Sequence, residues 1–242
     1  MRPLVDIDDI TTWPREVSDI VGQWAKQYEG TTEYTSDLAL PFEAESTIRE
    51  LLSGHLLRAY HCTRLLPHEL QMVRSAGLRP LSAELISDRI DAALTAGEIS
   101  LSDAEFLHEA HVFASGEHQY RENQVGLILS KLAFQEDPMG CKPLLSTWGG
   151  EGMYMSSKAA QIRERLKELG IPTVVVALLD LGGRDCPHKV FPALHKVFVG
   201  AVLGLKCAWA DVFYRAAVPP NHIESILQAG DPSYDRLGML PT

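Results

Sequence analysis

Cysteine is scarce in this chain: four residues in 242, Cys62, Cys141, Cys186 and Cys207, with no Cys-x-x-Cys pair. That scatter excludes a disulfide framework and a cysteine zinc cage, and it predicts reduced thiols. Basic charge is also in deficit. Lys and Arg number 22 against 32 Asp and Glu, for a net charge of −10. Such a balance argues against binding a phosphate backbone non-specifically, so duplex nucleic acid is not an expected partner. No stretch approaches the roughly 20 apolar residues that span a bilayer, so a membrane is not expected either. The first residues, MRPLVDIDDITTWPREV, are acidic and lack the basic start and apolar core of a secretion signal, which predicts a cytoplasmic location. GxGxxG, GxxxxGK[ST], HExxH and GxSxG are all missing. His108 and His111 stand three apart rather than four, and no metal set is assigned.

The composition that remains is ordinary for a globular protein, 45% hydrophobic and 22% charged. The stretch that organises the chain is Leu57 to Leu78, LRAYHCTRLLPHELQMVRSAGL. It reads as an apolar strand over 57–62 that delivers His61, then a helix from Pro67, where a missing N–H costs least. Glu69 falls in the first turn, where the helix dipole favours an anion, and Gly77 suits a left-handed stop. Upstream, helical spacing predicts helices over 13–28 and 44–57, making residues 1–56 a helical lead-in. Downstream, 82–96 and 102–110 read as polar-faced helices. Residues 112–114 and 125–130 are β-prone, with helix or strand left open for 123–134. Gly149, Gly150 and Gly152 predict a tight turn feeding a short strand at Met153–Met155, and a Ser-capped helix ends near Gly170. The run 173–179 suits a strand buried on both faces. After a turn at Gly182 and Gly183, further β runs are expected at 190–194, 197–203 and 208–214. A last helix is expected from Pro219 through Ile223, Ile226 and Leu227, and 231–242 reads as a tail. The order implies an α+β fold with a largely antiparallel sheet.

Two stretches carry a resemblance when taken together. The first is Tyr60-His61-Cys62-Thr63-Arg64, followed by a helix and Gly77-Leu78-Arg79-Pro80. The second is Gly150-Glu151-Gly152-Met153-Tyr154-Met155, followed by Ser157-Lys158-Ala159. The pair resembles the catalytic domain of ADP-ribosyltransferases of the His-Tyr-Glu class, the group of diphtheria toxin and the poly(ADP-ribose) polymerases. The likeness covers roughly residues 57–80 and 148–228. It implies a split antiparallel β-sandwich over 57–230, with N-terminal helices and a helical insertion at about 81–147. It also implies NAD as substrate and an unidentified protein or small-molecule acceptor. The activity implied is NAD-dependent mono-ADP-ribosyl transfer, toxin-like or polymerase-like. An NAD glycohydrolase of the same fold, and a catalytically degenerate module binding NAD, ADP-ribose or a protein, are the alternatives.

On this likeness the catalytic residues would be His61, Tyr154 and an acid, either Asp211 or Glu151. Asp211 stands where the family's late strand bears glutamate, and is one methylene shorter. Cys62 stands where a glycine usually follows the histidine and narrows the approach to nicotinamide. Tyr60, Cys62, Thr63, Arg64, Arg121, Gly152 and Ser157 would contact NAD. These residue types suit the chemistry. Breaking the nicotinamide–ribose bond passes through an oxocarbenium-like state that a carboxylate stabilises, an aromatic ring stacks on nicotinamide, and a guanidinium matches pyrophosphate oxygens. Taken singly, each has a plainer reading: His61 as a hydrogen-bonded core histidine, Tyr154 as packing, Arg64 as a solvated loop arginine.

Overall fold

A computed structural model describes the chain except residues 1, 31, 42, 137, 181–187, 191–193, 207–209 and 239–242, and describes only the backbone at 135–136, 138–140 and 188–190. A two-residue strand β1 (Leu4–Val5) precedes helices α1 (Arg15–Ala25) and α2 (Ala44–Leu51). Strand β2 (Leu56–Leu65) leads into α3 (Pro67–Ala76), α4 (Ala83–Thr95) and α5 (Leu101–Ala110). Then come β3 (Val125–Ile128), α6 (Leu132–Glu136), α7 (Pro138–Ser146), α8 (Glu151–Tyr154) and α9 (Arg163–Glu168). The remaining elements are β4 (Ile171–Leu179), β5 (His188–Val190), α10 (Leu194–Leu203), β6 (Asp211–Tyr214), β7 (Ile223–Gln228) and α11 (Pro232–Asp235).

The fold is mixed α/β around one hydrogen-bonded sheet. Six strands run in the order β5-β6-β3-β2-β4-β7, each antiparallel to its neighbour, and β1 joins the start of β2 in parallel. The spine is β2 against β4, registered without interruption from Leu57 opposite Leu179 to Leu65 opposite Ile171. Val174, Val175, Ala177 and Leu179 of β4 are wholly buried, as the continuous apolar run 173–179 predicts. Each such valine or leucine contributes about 1.5–3 kcal/mol by leaving water. Between β2 and β3 the recorded register is one pair, Tyr60 opposite Ile128, so the sheet opens beyond that point.

Local signals place several helices as expected. Pro67 opens α3, Ser82 accepts the Leu85 N–H at the start of α4, and Ser100 with Asp103 caps α5. Gly77 ends α3 at φ +81°, and an added Cβ there would stand 1.9 Å from the Val218 carbonyl oxygen. That close approach lets Leu78 and Val218 exchange two backbone hydrogen bonds.

Other expectations are corrected. The apolar run 197–203 lies in helix α10, buried on most of its circumference, and a short run of that kind has no period that separates helix from strand. Of the 190–194 run, residues 191–193 lie outside the described residues, while Val190 is in strand β5 and Leu194 already begins α10. The Pro219–Pro220 pair starts a single 3-10 turn, and Ile223, Ile226 and Leu227 lie in β7, paired to β4, instead of in a helix. Met153 and Tyr154 belong to the one-turn helix α8, not to a strand. Val112 sits in a turn and packs into a helical core. Of the expected tail 231–242, the described part, 231–238, is not loose, since Tyr234 of α11 and Leu237 are 1% and 5% exposed. Helix α2 stops at Leu51, because the chain must turn before β2. The turn at Gly182 and Gly183, Cys186 and Cys207 lie outside the described residues.

The stretch 81–147 is not wholly helical: it contributes β3 to the middle of the sheet. Its helices α4 and α5 form a second apolar cluster around Ile90, Leu107, Trp148 and Met153. Residues 1–56 share the main core through Val5, Val17, Val21 and Ile48, and Trp13 meets Phe198 of α10 edge to face at 4.7 Å.

Candidate functional site

The pleat of β2 decides which candidates meet. Successive side chains point to opposite faces, so Tyr60 and Cys62 face one way and His61 and Thr63 the other. Where β2 and β3 part, the gap is bridged by His61, whose Nδ1 lies 2.7 Å from the Gly126 carbonyl oxygen. His61, Thr63, Gln124, Gly150 and Glu151 line a cavity on one side of that opening. Tyr60, Cys62, Tyr154, Asp211, Arg121 and Glu151 line another. Cys62, Gly126, Leu144 and Glu151 belong to both. His61 and Tyr154 therefore do not share one cavity; Glu151 stands at the junction between theirs.

Glu151 is presented at the first turn of α8, after Gly149 and Gly150, both at positive φ. Its Oε1 accepts a hydrogen bond from Arg121 Nη2 at 2.8 Å. Burial pushes the Glu151 carboxyl above the usual range, against the opposing pull of Arg121 and then His118. Arg121 lies face-on to Phe213, 3.8 Å from the ring centroid, and its Nε is buried without a hydrogen-bond partner among the described residues. A buried orphan donor costs about 1–3 kcal/mol. Burial holds the half-buried His61 below the ordinary histidine value, despite the Gly126 carbonyl, so its ring is neutral at pH 7. A histidine of lowered pKa and a carboxyl of raised pKa thus line the same cavity, a combination suited to proton transfer with a ligand placed between them.

The remaining candidates divide. Asp211 on β6 pairs with Ile128 and lines the Tyr154 cavity, not the one that holds His61. Cys62 is buried against Cys141 of α7, and that contact, followed by burial, pushes its thiol up. Arg64 does not serve a cavity: Nε, Nη1 and Nη2 donate to the carbonyls of Leu169, Leu145 and Gly170 at 2.9, 3.2 and 2.9 Å. Ser157 donates to Glu117 at 2.7 Å on the surface. Gly152 fits against Ile86, where a Cβ would stand 2.7 Å from Cδ1. Tyr154 lies 5.8 Å below Arg163.

Sequence reasoning missed Gln124, Gly126, Arg89 and Phe213. No local signal marks them, since each matters through what the sheet and α4 bring near it. Among the described residues no group of three or more His, Cys, Asp or Glu forms a metal cluster, and no helix is long and apolar enough to cross a membrane. Comparison with models of protein families, with curated proteins and with solved structures finds no match.

Proposed function

We propose that the chain is an NAD-dependent mono-ADP-ribosyltransferase. The observation that carries the reading is Glu151, a half-buried carboxyl of raised pKa at the junction of two cavities, one holding His61 and the other Tyr154. The opening of the sheet between β2 and β3 is consistent with the split architecture the resemblance implies.

In this reading the nicotinamide ring enters the Tyr154 side and the ribose lies over Glu151. His61, fixed by the Gly126 carbonyl at Nδ1, offers Nε2 to a ribose hydroxyl. The C1′–N bond breaks with its electron pair going to nicotinamide, which leaves neutral. The cationic C1′ is stabilised by the Glu151 carboxylate, and an acceptor nucleophile bonds C1′ and gives up its proton. Arg121 supports the reading as the group whose charge favours the ionised form of Glu151 against the effect of burial.

A second reading is favoured by Asp211. The position where the resemblance expects glutamate carries a shorter acid that lines the Tyr154 cavity and not the His61 one. On that reading the protein holds NAD without breaking it.

Nicotinamide release from NAD by the purified protein separates these. Wild type is expected to release it, with Glu151→Gln and His61→Ala each costing about 100-fold or more and Asp211→Asn costing less than about tenfold. Label from NAD on a macromolecule identifies transfer, and free ADP-ribose identifies hydrolysis. NAD that raises the melting temperature without nicotinamide release supports the second reading, and neither effect refutes both.

A further inference from the structure

A different cavity, of about 400 Å³, lies over the first half of β2 between β7 and α11. Arg58, Lys131, Glu224 and Arg236 stand around it, and its floor includes Val176 and Leu227. Its charges do not cancel where a ligand would enter. Arg58 is consumed by its neighbours: Nε and Nη2 donate to both oxygens of Glu224, and Nη1 donates to Asp6. Asp6 also accepts the Asp8 N–H, while Asp8 takes up the Ser130 hydroxyl and the Lys131 N–H. The carboxylates are thereby engaged. Lys131 Nζ stands 3.9 Å from Asp6, beyond hydrogen-bond length. The guanidinium of Arg236 donates to the Ser233 hydroxyl at 2.8 Å, with no carboxylate in ion-pair range among the described residues. In a chain of net charge −10, two under-compensated cations therefore share one cavity.

Tyr60 provides the second, independent observation. It is 2% exposed and lines this cavity, yet its hydroxyl has no hydrogen-bond partner among the described residues. Buried polar groups are almost always satisfied, and a buried hydroxyl left open beside a cavity points to a missing partner. The Tyr60 ring is held edge to face against Phe134 at 5.6 Å, so the hydroxyl is not free to swing elsewhere.

We propose that this cavity binds a small phosphate monoester with an apolar body. The phosphate sits between Lys131 and Arg236, with the Ser225 and Ser233 hydroxyls as further donors, because a tetrahedral oxyanion offers enough oxygens to serve donors from several directions. The body covers Val176 and Leu227, and the ester oxygen that joins it to the phosphate receives the Tyr60 hydroxyl. Tyr60 also lines the Tyr154 cavity, but Lys131, Arg236, Val176 and Leu227 do not, so the site stands or falls without the reading of Glu151.

Phenyl phosphate serves as the probe, followed by calorimetric titration and thermal unfolding of the whole chain, with inorganic phosphate and benzyl alcohol as its two halves. Phenyl phosphate is expected to bind and raise the melting temperature more than either half. The Lys131→Gln/Arg236→Gln pair, both at the protein surface, is expected to weaken it about tenfold or more, and Tyr60→Phe by a smaller factor. Three results overturn the proposal: no binding at millimolar probe, binding undiminished in the double variant, or inorganic phosphate binding as tightly as phenyl phosphate. Displacement of the probe by NAD also overturns it, because the probe would then occupy the Glu151 site.

Discussion

Removing the carboxylate of Glu69 tests the energetics on which the His61 side of the molecule rests. Glu69 is 4% exposed and lines the cavity shared by His61 and Arg89. Its oxygens accept from three places: the Leu66 N–H at 2.8 Å, the Trp148 Nε1–H at 3.0 Å and Arg89 Nε at 2.5 Å. One side chain thus caps α3, satisfies a fully buried indole and neutralises a mostly buried guanidinium. Glu69→Ala leaves an orphan N–H, an orphan indole donor and an unpaired cation. Breaking a buried pair from one side costs about 3–5 kcal/mol, and these losses overlap rather than add, so the expected destabilisation is about 4 kcal/mol. For a chain of this size that lowers the melting temperature by roughly 8–16 °C. Glu69→Gln keeps hydrogen-bonding atoms but not the charge and is expected to cost about half as much. The pH dependence follows from the direction of the shift. Burial alone would raise the Glu69 carboxyl, yet Arg89, the Leu66 N–H and Trp148 together hold it below the ordinary glutamate value. Its stabilisation is therefore complete above the unfolded-state pKa and lost as pH falls through the lower folded value. Urea unfolding of wild type, Glu69→Ala, Glu69→Gln and Arg89→Gln between pH 3 and 7 measures all of this. A loss under about 1 kcal/mol in Glu69→Ala, or an acid limb unchanged in Glu69→Gln, refutes the reasoning.

Two further perturbations have definite outcomes. Gly77→Ala forces a Cβ into the Val218 carbonyl at a positive φ and is expected to cost about 3 kcal/mol or more. Gly30→Ala, at φ +69° with open space around it, costs only about 1 kcal/mol; chemical denaturation of the two variants checks the contrast. His195 is buried in α10 with Nδ1 unpartnered among the described residues, and burial, then Lys196, holds it down to about 4 from 6.5. The unfolded chain therefore binds a proton that the folded one refuses between about pH 6.5 and 4, and stability falls through that window as pH drops. His195→Phe is expected to recover up to about 3 kcal/mol of the acid loss; equal acid limbs in equilibrium unfolding would contradict the assignment.

The helices α1, α3, α4 and α5 and the buried strand β4 are legible in the sequence because their signals are local. Pro67, Ser82, Ser100 and Gly77 act on backbone groups within a few residues, and an unbroken apolar run over 173–179 needs only cover on both sides. Glu151 and His61 stand out in the sequence as candidates for the same reason, each belonging to a turn or strand motif. Tertiary structure alone assigned 197–203 to a helix and 223–228 to a strand, since apolar runs that short take whichever form their neighbours bury best. It alone set the pleat of β2 that sends His61 and Cys62 to opposite faces, and the parting of β2 from β3 that places Glu151 between the two cavities. It alone converted Arg64 from a ligand candidate into a tie between three carbonyls, and joined Glu69 to Trp148 across 79 residues of sequence. Caps and periods are determined by neighbours along the chain; partners of buried charges are determined by which strands lie side by side.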